Sequence, residues 1–200
     1  MASDITQTCK YEGKFIKLME TPNGWEYVTR RHTGVAAVLP LEFSKGPSTE
    51  IKTCLVRQWR PIVGKYVLAL VAGLKDDTDP TTKHAAIREA KEESGYELEE
   101  KNMHFVGSFP SSSGLTDEIV DVYVGLNANN VRTADWVPDP EEGIEVIPCT
   151  IDNLEQVIRL RADAGDLIDS KIYAAMDYIG SNVDIIWGEA RRIRIEGEKK

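Results

Sequence analysis

Short runs rich in apolar residues fill the first third of the chain, in KFIKLME (14–20), WEYVTRRH (25–32), VAAVLPLEF (35–43) and IKTCLVRQWR (51–60). These runs predict four β-strands, separated by the turn-rich stretches TPNG and SKGPST. YVLALVAGL (66–74) is almost wholly apolar, which predicts a strand buried on both faces. In the KDDTDPTT that follows, Asp79 is placed to cap a helix and Pro80 to occupy its first position. The pattern then becomes helical to about residue 94, with Gly95 as the stop. Strands are expected again at MHFVGSF (103–109), EIVDVYVGLNA (118–128) and IEVIPCTI (144–151), and helices at NLEQVIRLRADAG and SKIYAAMDYIG. The closing RRIRIEGEKK reads as a partly ordered tail. Strands around one central helix, with further helices at the C-terminal end, indicate a mixed α/β sandwich.

The helix HAAIREAKEESGY carries the most informative chemistry. At about 100° per residue, Glu89, Glu92 and Glu93 share one face, while Ile87, Ala90 and Ser94 fall on roughly the opposite one. Carboxylates at i, i+3 and i+4 repel one another, so helix stability alone does not select them. Hard divalent cations, which take oxygen ligands, supply the compensation. A solvated acidic face is the plain alternative for such a run.

Composition narrows the function classes. The 200 residues suffice for one domain with appendages, and no stretch is apolar enough to span a bilayer as a helix. The formal net charge of −9, with no basic stripe, argues against nucleic acid or anionic lipid as partner. It also means that a phosphate-rich substrate needs cations and placed arginines to reverse the local field. The N-terminal MASDITQTCKYEGK has no apolar core of a secretory signal, and Cys9, Cys54 and Cys149 form no metal-ligand spacing, so a cytoplasmic location is expected.

The buried strand turning at Ala72-Gly73, then Asp79, then REAKEESGY together resemble the Nudix box: a glycine, an acidic residue, then Arg-Glu-apolar-any-Glu-Glu-any-Gly-apolar. Two departures fall at the loop: Asp79 stands where the family has glutamate, and one extra residue separates it from Arg88. The resemblance implies a Nudix-type sandwich with a central glutamate-bearing helix. In it, Glu89, Glu92, Glu93 and the Ala72 carbonyl hold magnesium, with manganese as the alternative, and Arg88 orients the glutamates. Residues 1–45 would be N-terminal strands that contribute to dimerisation and base binding, and 46–195 the hydrolase domain.

Beyond the box, GWEYVTR and LVRQWRPIVGKYVLALVAGL resemble the ADP-ribose and ADP-sugar pyrophosphatase branch, as do SSSGLTDE and GDLIDSKIYAAMDYI. Ser113 stands where that branch has proline, and Ala69 and Val71 where glutamate and proline are common. The branch implies that Phe15 and Trp25 clamp an adenine, often across a dimer interface, and that Arg30 and Arg60 contact phosphates or sugar. Strand packing and surface ion pairs are the plain alternatives for these four. The branch further implies a general base from a loop before a late strand, which DPEEGIEV (139–146) matches, with Glu142 favoured and Glu141 next and a solvated acidic loop as the plain alternative; Glu118 is a further candidate for indirect metal contact. Arg57, Gln58 and Trp59 suit either a dimer interface or the core.

The implied activity is magnesium-dependent hydrolysis of a nucleoside diphosphate sugar, ADP-ribose foremost, to AMP and ribose 5-phosphate, by a homodimer. GDP-mannose or a dinucleotide as substrate, or a catalytically silent Nudix binding module, are the competing readings.

Overall fold

The run VAAVLP has no polar face because its strand is covered on both sides. Ala36 and Val38 point to one buried cluster, shared with the glutamate helix, and Ala37 and Leu39 to another, shared with the C-terminal helices. The computed structural model describes residues 7–30, 34–44, 48, 50–132 and 136–198, with side chains described to 195. The chain begins with β1 (Thr8–Glu12), β2 (Ile16–Glu20), β3 (Glu26–Arg30), β4 (Gly34–Pro40) and β5 (Glu42–Phe43). It continues through β6 (Ile51–Arg60), β7 (Lys65–Ala69), β8 (Val71–Leu74) and the helix α1 (Thr82–Ser94). Then come β9 (Tyr96–Glu97), β10 (Met103–Pro110), β11 (Ile119–Gly125), β12 (Asn129–Asn130) and β13 (Ile144–Thr150). The last elements are α2 (Leu154–Asp163), β14 (Leu167–Ile168), α3 (Lys171–Ser181) and α4 (Val183–Glu198).

Two mixed sheets form the sandwich. One has the order β10-β11-β4-β8, with β4 and β11 parallel, and the other β13-β6-β7-β14, with β7 and β14 parallel and β5 on β6. On one side, α1 buries Ala85, Ala86 and Ala90 against Ala36, Val38, Val56 and Val71. On the other, Leu154, Ile158, Ile172, Ala175, Ile186 and Ile193 from the C-terminal helices cover Ala37, Leu39, Leu55 and Val122. The expected mixed α/β sandwich, with a central glutamate helix and C-terminal helices, is the architecture observed.

Several element expectations change. The single strand expected over 66–74 is two: the chain breaks at Leu70, β7 pairing with β6 and β8 with β4. It is buried in its middle, at Leu68, Leu70 and Val71, whereas Lys65 and Tyr66 are exposed. The strand expected over 35–43 likewise passes from one sheet to the other, at Leu41. An all-apolar run cannot report such a switch, because both sheets bury it. RRIRIEGEKK is no tail through residue 198: α4 runs through it and buries Ile186 and Ile193, one helical repeat apart. β1, not among the strands expected from the sequence, is added to β2 by backbone pairing.

β1, β2 and β3 form a separate antiparallel sheet that touches the body along the loop before β11. The Val28 N–H bonds the Leu115 carbonyl at 2.8 Å, Thr29 Oγ1 donates to Asp117 at 2.8 Å, and Arg30 pairs with Glu118 at 2.7 Å. β4 and β5, grouped by the sequence with the N-terminal strands, lie in the sandwich itself.

Candidate active site

The β8–α1 connection brings the acidic face of α1 against a strand that can accept it. Gly73 leaves the space that Glu89 occupies: a Cβ there would lie 2.0 Å from Glu89 Oε1 and would push that carboxylate from its place. The helix starts later than the sequence suggests, with Thr81 rather than Asp79 as its N-cap and Pro80 outside it. Asp79 is instead buried and accepts hydrogen bonds from the Asp76 N–H at 3.0 Å and from Arg88. Burial alone would raise its pKa, but the Arg88 guanidinium and the Asp76 amide outweigh that and hold it below the usual carboxylate range. At the other end Gly95 closes the helix in the left-handed conformation, φ 66°, as expected.

Arg88 is the hub of the cluster. Nη1 bonds Glu89 and Glu92, each at 2.8 Å, while Nη2 bonds Asp79 at 3.0 Å and the Leu74 carbonyl at 2.9 Å. Glu93 faces the strand, where its Oε2 accepts the Ala72 N–H at 3.1 Å. It is 8% exposed, and burial pushes its carboxyl up to about 8, against the pull of the Ala72 amide. The charges of Glu89 and Glu142 add to the rise. Burial also raises Glu89, despite its bond to Arg88.

A cleft of about 400 Å3 collects these groups: Arg88, Glu89, Glu92, Glu93 and Ala72 from the box, with Arg60, Gln58 and Glu142 on its other wall. Glu142 lies in the turn before β13, and Arg60 at the end of β6. Glu141, beside Glu142, is exposed and outside the cleft; its N–H bonds the Asp139 side chain at 2.9 Å. A larger cleft of about 870 Å3, behind α1 at Ile87 and Lys91, contains none of Glu89, Glu92, Glu93 and Glu142.

The donor set fits a hard divalent cation in kind, since it offers carboxylate and carbonyl oxygens and a buried carboxyl, Glu93, that among the described residues has no cationic side chain at hydrogen-bond range. Among the described residues no three acidic side chains form a preassembled cage, because Arg88 holds Glu89 and Glu92 while Glu93 bonds the strand.

Phe15, Trp25 and Arg30 belong to the N-terminal sheet or its turns and do not reach this cleft within the chain. Phe15 and Trp25 are 72% and 58% exposed, and the Trp25 indole N–H donates to the Gly114 carbonyl at 3.4 Å. Glu118 is held between Arg30 and the Ser111 hydroxyl rather than near the glutamates of α1. Arg57 takes no part in the cleft either: it makes a bidentate pair with Asp166, at 2.7 and 3.0 Å, and stacks 3.5 Å over the Tyr66 ring. Gln58, expected at a dimer interface or in the core, lines the cleft instead, as do Leu74 and Asp76, for which no site role was expected from the sequence. Strand alternation from Arg60, two positions on, is the signal that could have placed Gln58 there.

Known proteins resemble this chain over most of its length. A family model described as the NUDIX domain matches residues 30–173. The methanol dehydrogenase activator of Bacillus methanolicus is 31% identical over 176 residues, covering 84% of this chain and 87% of its own. The ADP-sugar pyrophosphatase of Mus musculus is 33% identical over 179 residues, covering 82% and 80%. Among solved structures, the crystal structure of an ADP compounds hydrolase superposes with a TM-score of 0.58 at 14% identity, over 88% of this chain and 92% of that one, a likeness of fold.

Proposed function

Since the chain belongs to the NUDIX family and is a Nudix hydrolase, we propose that it cleaves the diphosphate bond of a nucleoside diphosphate sugar, ADP-ribose foremost, giving AMP and ribose 5-phosphate. The observation that carries this is the single cleft in which Glu142 and Arg60 face Glu89, Glu92 and Glu93. The likeness to a mouse ADP-sugar pyrophosphatase supports the substrate class.

Glu89, Glu92, Glu93 and the Ala72 carbonyl would hold magnesium, or manganese in its place, and Arg88 would orient Glu89 and Glu92. A divalent cation bound there supplies positive charge against the diphosphate oxygens and acidifies water. Glu142 takes the proton of the attacking water, and Arg60 steadies the phosphate with a charge-assisted hydrogen bond. Glu141, outside the cleft, is the weaker candidate for base. Phe15, Trp25 and Arg30 would reach a substrate only from a second copy of the chain, which makes a homodimer part of the reading. We place the protein in the cytoplasm, where Cys9, Cys54 and Cys149 remain free thiols; among the described residues no helix is long and apolar enough to cross a membrane.

Glu93→Gln and Glu142→Gln test the assignment. Each is expected to lower kcat on ADP-ribose with magnesium about a hundredfold or more while leaving the unfolding transition cooperative. Turnover like that of the wild type in Glu93→Gln would refute the metal assignment, and in Glu142→Gln that of the base. A second reading, a partner-directed Nudix domain, is favoured by the likeness to an activator of another enzyme.

A further inference from the structure

Gln58 and Arg60 lie two positions apart on β6, so both side chains turn to the cleft. The pair Gln58–Ile144 is the last of the ladder between β6 and β13. Beyond it the chain turns back through Gly143, φ 62°, into the turn that carries Glu142. That turn's own bonds are internal: the Glu142 N–H to the Asp139 carbonyl at 3.1 Å and the Glu141 N–H to the Asp139 side chain at 2.9 Å. Gln58 ties it to the sheet. Its Nε2 amide donates to the backbone carbonyl of Glu142 at 2.7 Å, past the point where the ladder ends.

We infer that Gln58 is a positioning residue: its amide fixes the backbone of Glu142, so that the Glu142 carboxylate stays over the cleft where the attacking water must give up its proton. The inference rests on the reading of Glu142 as the general base. A base acts only within about 3 Å of the proton it takes, and a carboxylate on an untethered turn spends much of its time elsewhere. One hydrogen bond of this kind shifts such a population by about fivefold to tenfold. Gln58 touches the carrier of the base and not the base itself, so its loss should appear in the chemical step and leave binding intact.

Gln58→Met keeps the length of the side chain and removes the donor. With ADP-ribose and magnesium it is expected to lower kcat about fivefold to tenfold, with KM and the half-saturating magnesium concentration within about twofold of wild type. In a Glu142→Gln background the same substitution should lower kcat by less than about twofold, because the group it positions is already gone. Gln58→Ala, made in both backgrounds, provides the same comparison should the methionine perturb the turn. Three results would overturn the inference: an equal loss in both backgrounds, a raised KM at constant kcat, or unchanged kinetics. A wild-type chain that turns over none of the nucleoside diphosphate sugars would bring down the reading of the site itself, and the inference with it. That failure is told apart by its appearance before any substitution is made.

Discussion

Glu93 is buried beside two other carboxylates, and the Ala72 amide and the more distant Arg60 charge offset this only in part, so its pH behaviour follows. Its folded pKa, about 8, lies above the ordinary 4.5, so the folded protein binds more protons than the unfolded chain between those values. The stability this group contributes is complete below about pH 4.5 and is lost as pH rises through about 8. On the proposed metal role of Glu93, a divalent cation would reverse the trend, since it would bind the ionised carboxyl and have to displace the proton below pH 8. The rise in Tm on adding magnesium should therefore grow from pH 6 to 8 and then level off, as measured by calorimetry in magnesium and in chelator. A magnesium effect independent of pH would contradict this placement of Glu93. At this scale the sequence disclosed the spacing of Glu89, Glu92 and Glu93, since charge geometry on a helix is local. It did not disclose the roles of Asp79 or Gln58. Asp79 has the chemistry of a cap but is claimed by Arg88, nine residues away, and Gln58 acquires its partner only when β13 docks on β6.

Elements carry the cleft by the way they end. Helix α1 stops at Gly95 in the left-handed conformation, and a Cβ there would lie 2.3 Å from Arg132 Cγ. Gly95→Ala should cost about 1–3 kcal/mol in denaturant unfolding, from the strained φ and the displaced Arg132 together, and a change under about 0.5 kcal/mol would contradict this account. Gly95 was legible as a stop because its conformational need is local. The division of the apolar run 66–74 into β7 and β8 was not, since period and composition are alike in either sheet. Nor was α4, where the buried Ile193 stands between Arg192 and Arg194 and its buried counterpart Ile186 lies seven residues before it. Helix spacing between those two residues was nevertheless present in the chain.

On the scale of the whole molecule, a protein of net charge −9 must build a local field that accepts a diphosphate, and Arg60, Arg88 and a bound cation would do so at the cleft. The aromatic residues expected to grip a base lie apart, on an N-terminal sheet with Tyr11, Phe15, Ile16 and Trp25 exposed. Exposed apolar side chains on one small sheet suit a second copy. Sedimentation equilibrium should give twice the 22.3 kDa chain mass, and Phe15→Glu with Trp25→Glu should shift it toward one; a wild-type monomer would contradict the homodimer. The sandwich was legible because its order, strands around one central helix with further helices at the end, is written into the sequence, whereas the docking of the N-terminal sheet depends on contacts around Leu115 and Glu118 far along the chain. The most direct test of the central claim is chromatographic separation of products formed with magnesium from ADP-ribose, ADP-glucose, GDP-mannose, NADH and diadenosine triphosphate. The account predicts ADP-ribose as the best substrate, yielding AMP and ribose 5-phosphate; no turnover of any of the five with magnesium or manganese would contradict it.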